Sequence, residues 1–518
     1  MKYALSASQM QSLDTMTIHQ IGIDALVLME RAALSVVEEI QKNLTINDRI
    51  LVICGSGNNG GDGFAIARIL LTQGCLVEAM FLGEEDKMTK EARKQMQIAL
   101  NLGLSIRRET NFCEYNIIVD AIFGIGLNRP IDGECASMIT KINEQKQRAL
   151  ILAVDIPSGI SADSGQILGC AVCADVTVTF QEMKRGLLLY PGADYAGKVL
   201  VKDVGIVPFC PSDDQDEVYQ YYEPEDIRRL LPRRYPYSNK GTYGKVLVIA
   251  GSESITGAAY LSAYAAYRMG VGLVKILTAS AAIPILRTQL PEALFGNYDD
   301  ENASDEIERA VLWADSIVIG PGLSMSEKAK SVVHQVCTLL KESKTPLVVD
   351  ADAINILSES LNQRCVRKED RISNLEEMLP KNTILTPHLL ELSRLTLDYV
   401  NKIPSILIDI ARRCTYNDSM IYVLKDTRTI VASNNLRYIN VSGNNGMATG
   451  GSGDVLTGFI AALLAGGLRR EEAATLGVYL HGLAGDNAKL KLGSYSMLAR
   501  DIIEALPEVL MNYERRSV

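Results

Sequence analysis

Continuous runs of apolar residues, each bounded by turn residues, alternate with helical patterns in the first 210 positions of the chain. Three of these runs, at 49–54, 116–120 and 149–155, are predicted strands. Unbroken apolar strands are typical of parallel sheets whose two faces are both covered by helices. Residues 29–40 place Met, Ala, Val and Ile at a helical period, which predicts a helix packed on that sheet.

The alternation resumes after Gly241 and continues through the rest of the sequence. Predicted strands lie at 245–250, 273–278, 316–319, 346–350, 383–385, 420–424 and 429–431. Helical patterns follow Asp454 and fill the regions 471–488 and 497–513. The predicted fold class is therefore α/β, with two three-layer α/β/α domains, the first on a Rossmann-like parallel sheet.

Residues 208–240 interrupt the alternation with several prolines and a run of acidic residues at 213–217. Such a segment is typical of a solvated connection that leads into a short helix. A chain of 518 residues also exceeds what one hydrophobic core usually serves. The predicted organisation is a first domain at 1–212, a linker at 213–224 and a second domain at 225–518.

The composition, 47% hydrophobic and 22% charged, is ordinary for a globular protein, and the net charge of -10 argues against nucleic acid as the main partner. The sequence shows neither a secretory signal nor an apolar stretch long enough to span a membrane. Ten cysteines include one CxxC pair, Cys170 and Cys173, without a second pair or nearby histidine to complete a zinc site. We expect a reducing, cytoplasmic location and no membrane partner.

A glycine-rich block follows the first predicted strand and leads into a helical pattern. Residues 55–60 fit GxGxxG, and Glu78 lies at a plausible distance for a ribose-binding acid, so a Rossmann dehydrogenase is one interpretation. However, the block continues as Asn58-Asn59-Gly60-Gly61-Asp62-Gly63, and a carboxylate at this place repels a phosphate. We therefore favour a site for a cation and a hydroxyl-bearing ligand.

Two further predicted strands end in carboxylates that glycines follow, at Asp120 and Asp155. In parallel α/β sheets, ligands bind at the carboxyl ends of the strands. A single aspartate after a strand is usually a helix cap, but three polar strand ends side by side predict one binding crevice.

The motifs at 58–63, 120–127 and 155–159 resemble those of the NAD(P)H-hydrate epimerase family over about residues 1–210. The resemblance implies that Asn59, Asp120 and Ser158 bind a potassium ion through hard oxygen ligands. It also implies that Asp155 is the acid–base group. The residues implied to line the hydrated nicotinamide nucleotide are Asn58, Asn59, Gly60, Gly61, Asp62, Gly124, Ile125, Gly126, Leu127, Asn128, Arg129, Pro130 and Asp155. The alternative is a domain that kept the fold and lost catalysis, which the presence of both aspartates disfavours.

A second glycine-rich block, at 444–456, contains Thr449-Gly450-Gly451-Ser452-Gly453-Asp454 before an apolar helical pattern. Successive unhindered N–H groups at a helix N-terminus form an anion site. Asp454 at the helix entrance can accept a proton from an attacking hydroxyl, as the base does in phosphoryl transfer. A glycine-rich turn with an aspartate cap explains this run of residues less well.

The Gly-Gly-Ser-Gly-Asp motif is similar to the signature of the ribokinase-like superfamily, and motifs at 240–245, 319–323, 349–355, 385–388 and 479–486 narrow the resemblance to its NAD(P)H-hydrate dehydratase branch. The resemblance implies a ribokinase-like sheet and hydrated-substrate contacts from Ala258, Gly322, His388 and Asp454. The implied adenine-nucleotide residues are Lys425, Asp426, Thr427, Arg428, Thr429, Asn444, Asn445, Gly446, Met447, Ala448, Thr449, Gly450, Gly451, Ser452 and Gly453.

Together, the two resemblances imply repair of hydrated NADH and NADPH. The first domain would interconvert the R and S hydrates at C6. The second would phosphorylate the C6 hydroxyl of the S hydrate with ADP or ATP and magnesium, and phosphate would then leave. A homo-oligomer, tetrameric or larger, is also expected.

The sequence departs from the family at one place, where Leu389-Leu390 replaces the usual Pro-Gly after His388. His19 and His334 are predicted surface residues, and His481 is predicted to lie in the core. Three other interpretations stay open: a ribokinase-like kinase with a non-catalytic first domain, an NAD-dependent dehydrogenase, and an interaction protein that uses the first fold as a scaffold.

Overall fold

The structure is a computed structural model that describes residues 1–45, 47–211, 218–364, 366–414 and 420–514, without the side chains of 403–405. The chain divides into two compact units, one of Tyr3–Tyr219 and one of Gln220–Val518 with Met1–Lys2. The acidic run of the predicted linker lies outside the described residues. No helix among the described residues is long and apolar enough to cross a bilayer.

The N-terminal unit is built on a parallel sheet. Its strands are β1 (Lys2–Leu5), β2 (Arg49–Cys54), β3 (Leu76–Phe81), β4 (Ile106–Arg107), β5 (Ile117–Ala121), β6 (Leu150–Val154), β7 (Val176–Phe180), β8 (Met183–Lys184) and β9 (Lys198–Lys202). Seven of these form one sheet in the order β4-β3-β2-β5-β6-β7-β9, and its pairs are parallel. The short strands β1 and β8 pair separately through Ala4 and Leu5, also in parallel.

Helices cover both faces of this sheet. They are α1 (Ala7–Met16), α2 (Ala25–Gln41), α3 (Asn58–Thr72), α4 (Lys90–Asn101), α5 (Gly133–Asn143), α6 (Arg185–Leu188) and α7 (Gly192–Ala196), with a π-helical turn at Thr17–Ile21. Alternate residues of β2 point to opposite faces: Ile50 and Val52 pack with α2 and α3, whereas Leu51 and Ile53 pack with α5. The unit therefore has the three layers expected of covered parallel strands.

Two glycines let α3 approach the strand ends. A Cβ on Gly60 would lie 1.8 Å from the carbonyl oxygen of Gly55, and a Cβ on Gly63 would lie 2.7 Å from the Cβ of Ala121. Any larger residue would therefore push the start of the helix away from the sheet edge. The helix begins at Asn58, so the second half of the glycine-rich block is helical rather than a loop.

The C-terminal unit is built on a larger, mostly parallel sheet. Its strands are β10 (Tyr219–Tyr221), β11 (Lys245–Ile249), β12 (Leu273–Thr278), β13 (Leu294–Asn297), β14 (Ser316–Ile319), β15 (Leu347–Val349), β16 (Thr383–Leu385), β17 (Met420–Leu424), β18 (Ile430–Ser433) and β19 (Leu436–Ile439). The order is β13-β12-β11-β14-β15-β16-β17-β18-β19-β10. The strands from β13 to β17 are parallel, β18 is antiparallel to both β17 and β19, and β10 is parallel to β19.

Its helices are α8 (Pro224–Leu230), α9 (Gly257–Arg268), α10 (Ile283–Gln289), α11 (Ala303–Trp313), α12 (Glu327–Leu340), α13 (Ala351–Gln363), α14 (Arg371–Met378), α15 (Leu389–Thr396), α16 (Ile403–Arg413), α17 (Ser452–Ala465), α18 (Arg470–Leu492) and α19 (Ala499–Tyr513). Helices α9 and α17 pack closely, because a Cβ on Gly458 would lie 2.2 Å from the carbonyl oxygen of Ser262. The predicted α/β class with parallel sheets is confirmed in both units.

Candidate active sites

The N-terminal unit has a cavity of about 540 Å³ at the carboxyl ends of β2, β5 and β6. Ten of the predicted ligand residues line it: Asn58, Asn59, Asp62, Gly124, Ile125, Gly126, Leu127, Asn128, Arg129 and Asp155. Gly60, Gly61 and Pro130 are not among its lining residues. Gly60 instead packs against the main chain of Gly55, so its role is in the turn.

Asp155 is held in a strained conformation beside a buried cation. Its φ of 65° lies in the left-handed region, which non-glycine residues rarely adopt. One carboxylate oxygen, Oδ1, accepts hydrogen bonds from Lys184 Nζ at 2.7 Å, Thr179 Oγ1 at 3.0 Å and the Phe180 N–H at 3.3 Å. The Lys184 side chain is only 1% exposed, so this is a buried ion pair.

Two more carboxyl groups, those of Asp14 and Asp62, line the same cavity. Burial, with a further contribution from the charge of Asp155, raises the pKa of Asp14 to about 6. Burial also raises the pKa of Asp62 well above its usual value, and the charges of Asp155 and Asp14 add to this. The cavity thus combines an ion-paired carboxylate with carboxyl groups that hold protons more tightly, which suits proton transfer.

A group of oxygen atoms lies beneath the cavity. Asp120 is fully buried and accepts hydrogen bonds from Ser158 Oγ at 2.6 Å and from the Ser158 N–H at 2.8 Å. Burial raises the pKa of Asp120 to about 6, although both bonds from Ser158 oppose this. Asn59 is buried against Gly124, and its Nδ2 has no hydrogen-bond partner. Carboxylate, hydroxyl and amide oxygens are hard ligands, so this set fits the predicted potassium ion.

Glu78, the residue that a dehydrogenase would use for the ribose, lies outside the cavity lining. Its carboxylate accepts hydrogen bonds from Arg107 NH2 at 2.9 Å and from Tyr115 OH at 2.5 Å. With Glu78 bound to these side chains and Asp62 in the cavity, the geometry gives the dehydrogenase interpretation no support.

In the C-terminal unit, the second glycine-rich block forms the start of α17. Gly451 precedes the helix with a φ of 92°, and a Cβ there would lie 2.5 Å from Leu261 Cδ1. Asp454 lies in the first turn, where the helix has N–H groups without partners inside the helix. The predicted anion site is thus a helix N-terminus with a carboxylate in its first turn.

A partly buried lysine lies beside this turn. Lys425 Nζ donates to Asp350 Oδ1 at 2.7 Å, and a Cβ on Gly453 would lie 3.2 Å from the same Nζ. Burial and the charge of Asp350 raise the pKa of Asp454 to about 7, while Lys425 opposes the shift. Asp350 was not predicted to be a site residue. Lys425 was predicted to contact the nucleotide, but its ion pair with Asp350 was not predicted.

His388 caps helix α15 at the neighbouring strand end. Its Nδ1 accepts from the N–H groups of Leu390 and Glu391 at 3.1 and 3.3 Å, and Glu391 Oε2 accepts from the His388 N–H at 2.8 Å. Burial raises the pKa of Glu391 to about 7 and lowers that of His388. Leu389 and Leu390 begin the first turn of α15. The cap formed by His388 and Glu391 is therefore complete, although these two leucines stand where the family has Pro-Gly.

The other predicted residues of this unit lie around the same sheet edge. A Cβ on Gly322 would lie 3.0 Å from the Cβ of Ala258, so these two meet. Asn444 Nδ2 donates to Asp486 Oδ1 at 2.8 Å, which holds the turn at Asn445–Met447. His481 is buried with its Nε2 3.4 Å from Ser452 Oγ, whereas His19 and His334 are exposed, as predicted.

Comparisons with known proteins agree with both halves of the prediction. A family model described as NAD(P)H-hydrate dehydratase matches residues 246–508, and one described as YjeF-related protein N-terminus matches residues 25–186. A solved ribokinase-like superfamily protein from Enterococcus faecalis is 28% identical, with a TM-score of 0.50, over 57% of this chain and 97% of that one. The C-terminal unit is therefore of the ribokinase-like class.

Two curated relatives match almost the whole chain. The bifunctional NAD(P)H-hydrate repair enzyme of Moorella thermoacetica is 36% identical over 99% of this chain and 97% of its own length. That of Escherichia coli is 32% identical over 95% of this chain and 90% of its own length. The chain belongs to the family of bifunctional NAD(P)H-hydrate repair enzymes, as its motifs predicted.

The Asp155–Lys184 pair makes a testable contribution to stability. Lys184→Met leaves a buried carboxylate without its cation, so we expect the N-terminal unit to lose about 3–5 kcal/mol of unfolding free energy. Adding Asp155→Asn removes the unpaired charge and should restore part of that loss. Denaturant unfolding of the wild type, both single variants and the double variant measures the coupling. Simply additive losses would show that the two side chains do not interact.

Proposed function

We propose that the chain restores hydrated NADH and NADPH through two separate sites. The N-terminal unit epimerises the R and S hydrates at C6, and the C-terminal unit dehydrates the S hydrate with ADP or ATP as phosphoryl donor. One observation carries this proposal. Each unit holds a lysine–aspartate ion pair at the carboxyl edge of a parallel sheet, and the proposed acid–base carboxylate is a member of that pair in the N-terminal unit (Asp155) and lies beside it in the C-terminal unit (Asp454).

In the N-terminal unit, Asp155 accepts the proton of the C6 hydroxyl as the bond between C6 and N1 breaks and C6 becomes an aldehyde carbon. Rotation about the bond between C5 and C6, re-formation of the bond between C6 and N1 and return of the proton to the oxygen give the other epimer. The ion pair of Asp155 with Lys184 occupies Oδ1, which leaves Oδ2 for the substrate. Asp14, whose pKa of about 6 lies near neutral pH, donates a proton to N1 as that bond breaks and takes it back as the bond re-forms. The lining residues Gly124–Arg129 orient the nucleotide and keep water away from the reacting carbon.

Asn59, Asp120 and Ser158 would hold a potassium ion below this cavity. The fully buried Asp120 carboxylate and the Ser158 hydroxyl that lies 2.6 Å from it support this assignment. When bound, the ion would supply positive charge that fixes the strand ends carrying Asp120 and Ser158.

In the C-terminal unit, Asp454 accepts the proton of the C6 hydroxyl as that oxygen attacks the terminal phosphorus of the nucleotide, and AMP leaves from ADP, or ADP from ATP. The N–H groups at the start of α17 hold the transferred phosphoryl group, because a helix N-terminus favours negative charge. Magnesium on the nucleotide would neutralise phosphate charge. Residues 425–429 and 444–453 are the proposed nucleotide contacts, and Ala258, Gly322 and His388 are the proposed contacts of the hydrate.

Phosphorylation has a chemical purpose in this scheme. Hydroxide is a poor leaving group, whereas phosphate leaves readily as the bond between C5 and C6 becomes double and C5 loses a proton. A ribokinase-like kinase would use the same Asp454 but release a stable phosphorylated product.

A cytoplasmic location and a homo-oligomeric state remain predictions.

Two substitutions should separate the activities. Asp454→Asn removes the base, so we expect dehydration of the S hydrate to fall by about 10²- to 10⁴-fold while epimerisation is kept. Asp155→Asn should slow conversion of the R hydrate and leave dehydration of the S hydrate unchanged. The return of absorbance of the reduced ring, followed separately from each hydrate, measures both rates. Accumulation of a phosphorylated hydrate by the wild type would favour the kinase alternative instead.

The pH dependence of dehydration tests the environment of Asp454. A general base must be ionised, so kcat/KM should fall as pH drops through about 7, the value to which burial and Asp350 raise the pKa of Asp454. Asp350→Asn removes a neighbouring negative charge and keeps Lys425, so the falling limb should move to lower pH. A limb with an unchanged midpoint would remove Asp454 from the role of base, whatever the variant does to the maximal rate.

Potassium dependence tests the proposed ion site. We expect epimerisation of the R hydrate to rise with K⁺ concentration and to be poorly supported by Li⁺, because the ligand set fits a larger ion with hard oxygen ligands. Asp120→Asn should abolish this response. Asp194→Asn removes an exposed carboxylate of the same unit and serves as the matched control, which should keep it. A rate independent of K⁺ in the wild type would refute the site.

A further inference from the structure

Among the buried polar atoms without a hydrogen-bond partner in the described part of the C-terminal unit, three lie at the ends of neighbouring strands: Ser252 Oγ, Thr278 Oγ1 and Asn297 Oδ1. Ser252 is 8% exposed and Thr278 is fully buried. They follow or end the neighbouring strands β11, β12 and β13, so all three lie at the carboxyl edge of the sheet. We call them the Ser252–Thr278–Asn297 cluster.

The backbone brings these three positions together. Thr278 and Asn297 are direct partners in the register of β12 and β13. They lie two residues beyond Ile276 and Phe295, which pack in the core beneath α9 and α17. Gly251, adjacent to Ser252, lies over Thr278, because a Cβ on this glycine would be 2.7 Å from Thr278 Oγ1.

The cluster adjoins the residues expected to contact the hydrate. A Cβ on Gly251 would lie 3.1 Å from the Cβ of Ala259 in the first turn of α9, and the Gly251 N–H donates to the Pro321 carbonyl at 2.8 Å. Pro321 precedes Gly322, which meets Ala258. The N–H groups that begin α9 therefore lie beside the cluster, and they have no partners within the helix.

Such a cluster is costly when nothing binds to it. Leaving one buried donor or acceptor unsatisfied costs about 1–3 kcal/mol, and native proteins seldom place several together. The three atoms thus point to a bound group that supplies both hydrogen-bond donors and acceptors.

The chemistry of the cluster selects a neutral group. Asn297 Oδ1 requires a donor, whereas the hydroxyls of Ser252 and Thr278 and the N–H groups of α9 can donate. A phosphate has no donor for Asn297. Two carboxylates, Glu253 and Asp299, are also close enough to raise the pKa of Tyr298, whose hydroxyl donates to the Gly251 carbonyl at 2.7 Å. Negative charge nearby disfavours an anion.

We propose that the Ser252–Thr278–Asn297 cluster binds the carboxamide of the hydrated nicotinamide ring. The carboxamide oxygen accepts from the hydroxyls and from the start of α9, and its NH₂ group donates to Asn297 Oδ1. The inference rests on the proposed dehydratase function and adds the subsite that distinguishes its substrate.

This placement also explains how the reacting carbon is presented. The carboxamide is attached to C3 of the ring, and C6 lies directly opposite C3. A ring held by its carboxamide at the ends of β11, β12 and β13 therefore directs its C6 hydroxyl away from the cluster, towards the opposite end of the substrate site. Asp454, in the first turn of α17, is the proposed base at that end.

The substrate preference of the wild-type protein tests the proposal. The hydrate of the reduced 3-acetylpyridine dinucleotide keeps the carbonyl but lacks the NH₂ donor, and the hydrate of the reduced nicotinic acid dinucleotide carries a carboxylate. We expect KM to rise about tenfold for the first, the equivalent of one lost hydrogen bond, and more for the second. Equal kcat/KM for all three hydrates would overturn the proposal.

Substitutions within the cluster then show which side chain distinguishes the hydrates from one another. Asn297→Leu should raise KM about tenfold for hydrated NADH but leave KM unchanged for the acetyl analogue and for the nucleotide. Thr278→Val should raise KM for both hydrates, and Thr278→Ser, which keeps the hydroxyl, should restore it. An Asn297→Leu effect of equal size on both hydrates, or no effect on either, would mean that the cluster holds water or is only structural. Failure of the wild type to restore hydrated NADH would instead refute the proposed function.

Discussion

Parallel strands bring all their carboxyl ends to one edge of a sheet, and the helices that follow begin at the same edge. Both units of this protein depend on that constraint. In the N-terminal unit it brings Asp120 and Asp155 to the start of α3, and in the C-terminal unit it brings Lys425 to the start of α17. Polar groups from distant parts of the sequence thus converge without a dedicated scaffold, next to N–H groups that attract negative charge.

A buried lysine–aspartate pair sets the electrostatics of each site. Lys184 binds the proposed acid–base group Asp155 directly, and other carboxyls of that cavity hold their protons more tightly. Lys425 binds Asp350 instead, and Asp454 beside this pair has its pKa raised to about 7. The proposed acid–base carboxylate is thus part of the ion pair in the N-terminal unit and a neighbour of the ion pair in the C-terminal unit. Both arrangements suit proton transfer near neutral pH.

The sequence predicted the strands with unbroken apolar runs, such as β2 and β14, because burial on both faces leaves a visible pattern. It missed β3, where Glu78 interrupts the run, and β7, whose threonines alternate with apolar residues. The site residues in the glycine-rich motifs were also predicted from short stretches of sequence. Lys184 and Asp14 belong to no such motif: their place in the cavity depends on a short strand and a helix that only tertiary packing brings near Asp155. The Ser252–Thr278–Asn297 cluster likewise needs the register of three strands.

The central claim is that a carboxylate and a helix N-terminus act together on the phosphate of a bound nucleotide. A crystal structure of the protein with ADP and the S hydrate, trapped by Asp454→Asn, tests it most directly. We expect the terminal phosphate to contact the N–H groups of residues 450–454, with the C6 hydroxyl between that phosphate and the side chain at position 454. Phosphates bound elsewhere, or a C6 hydroxyl directed away from position 454, would contradict it.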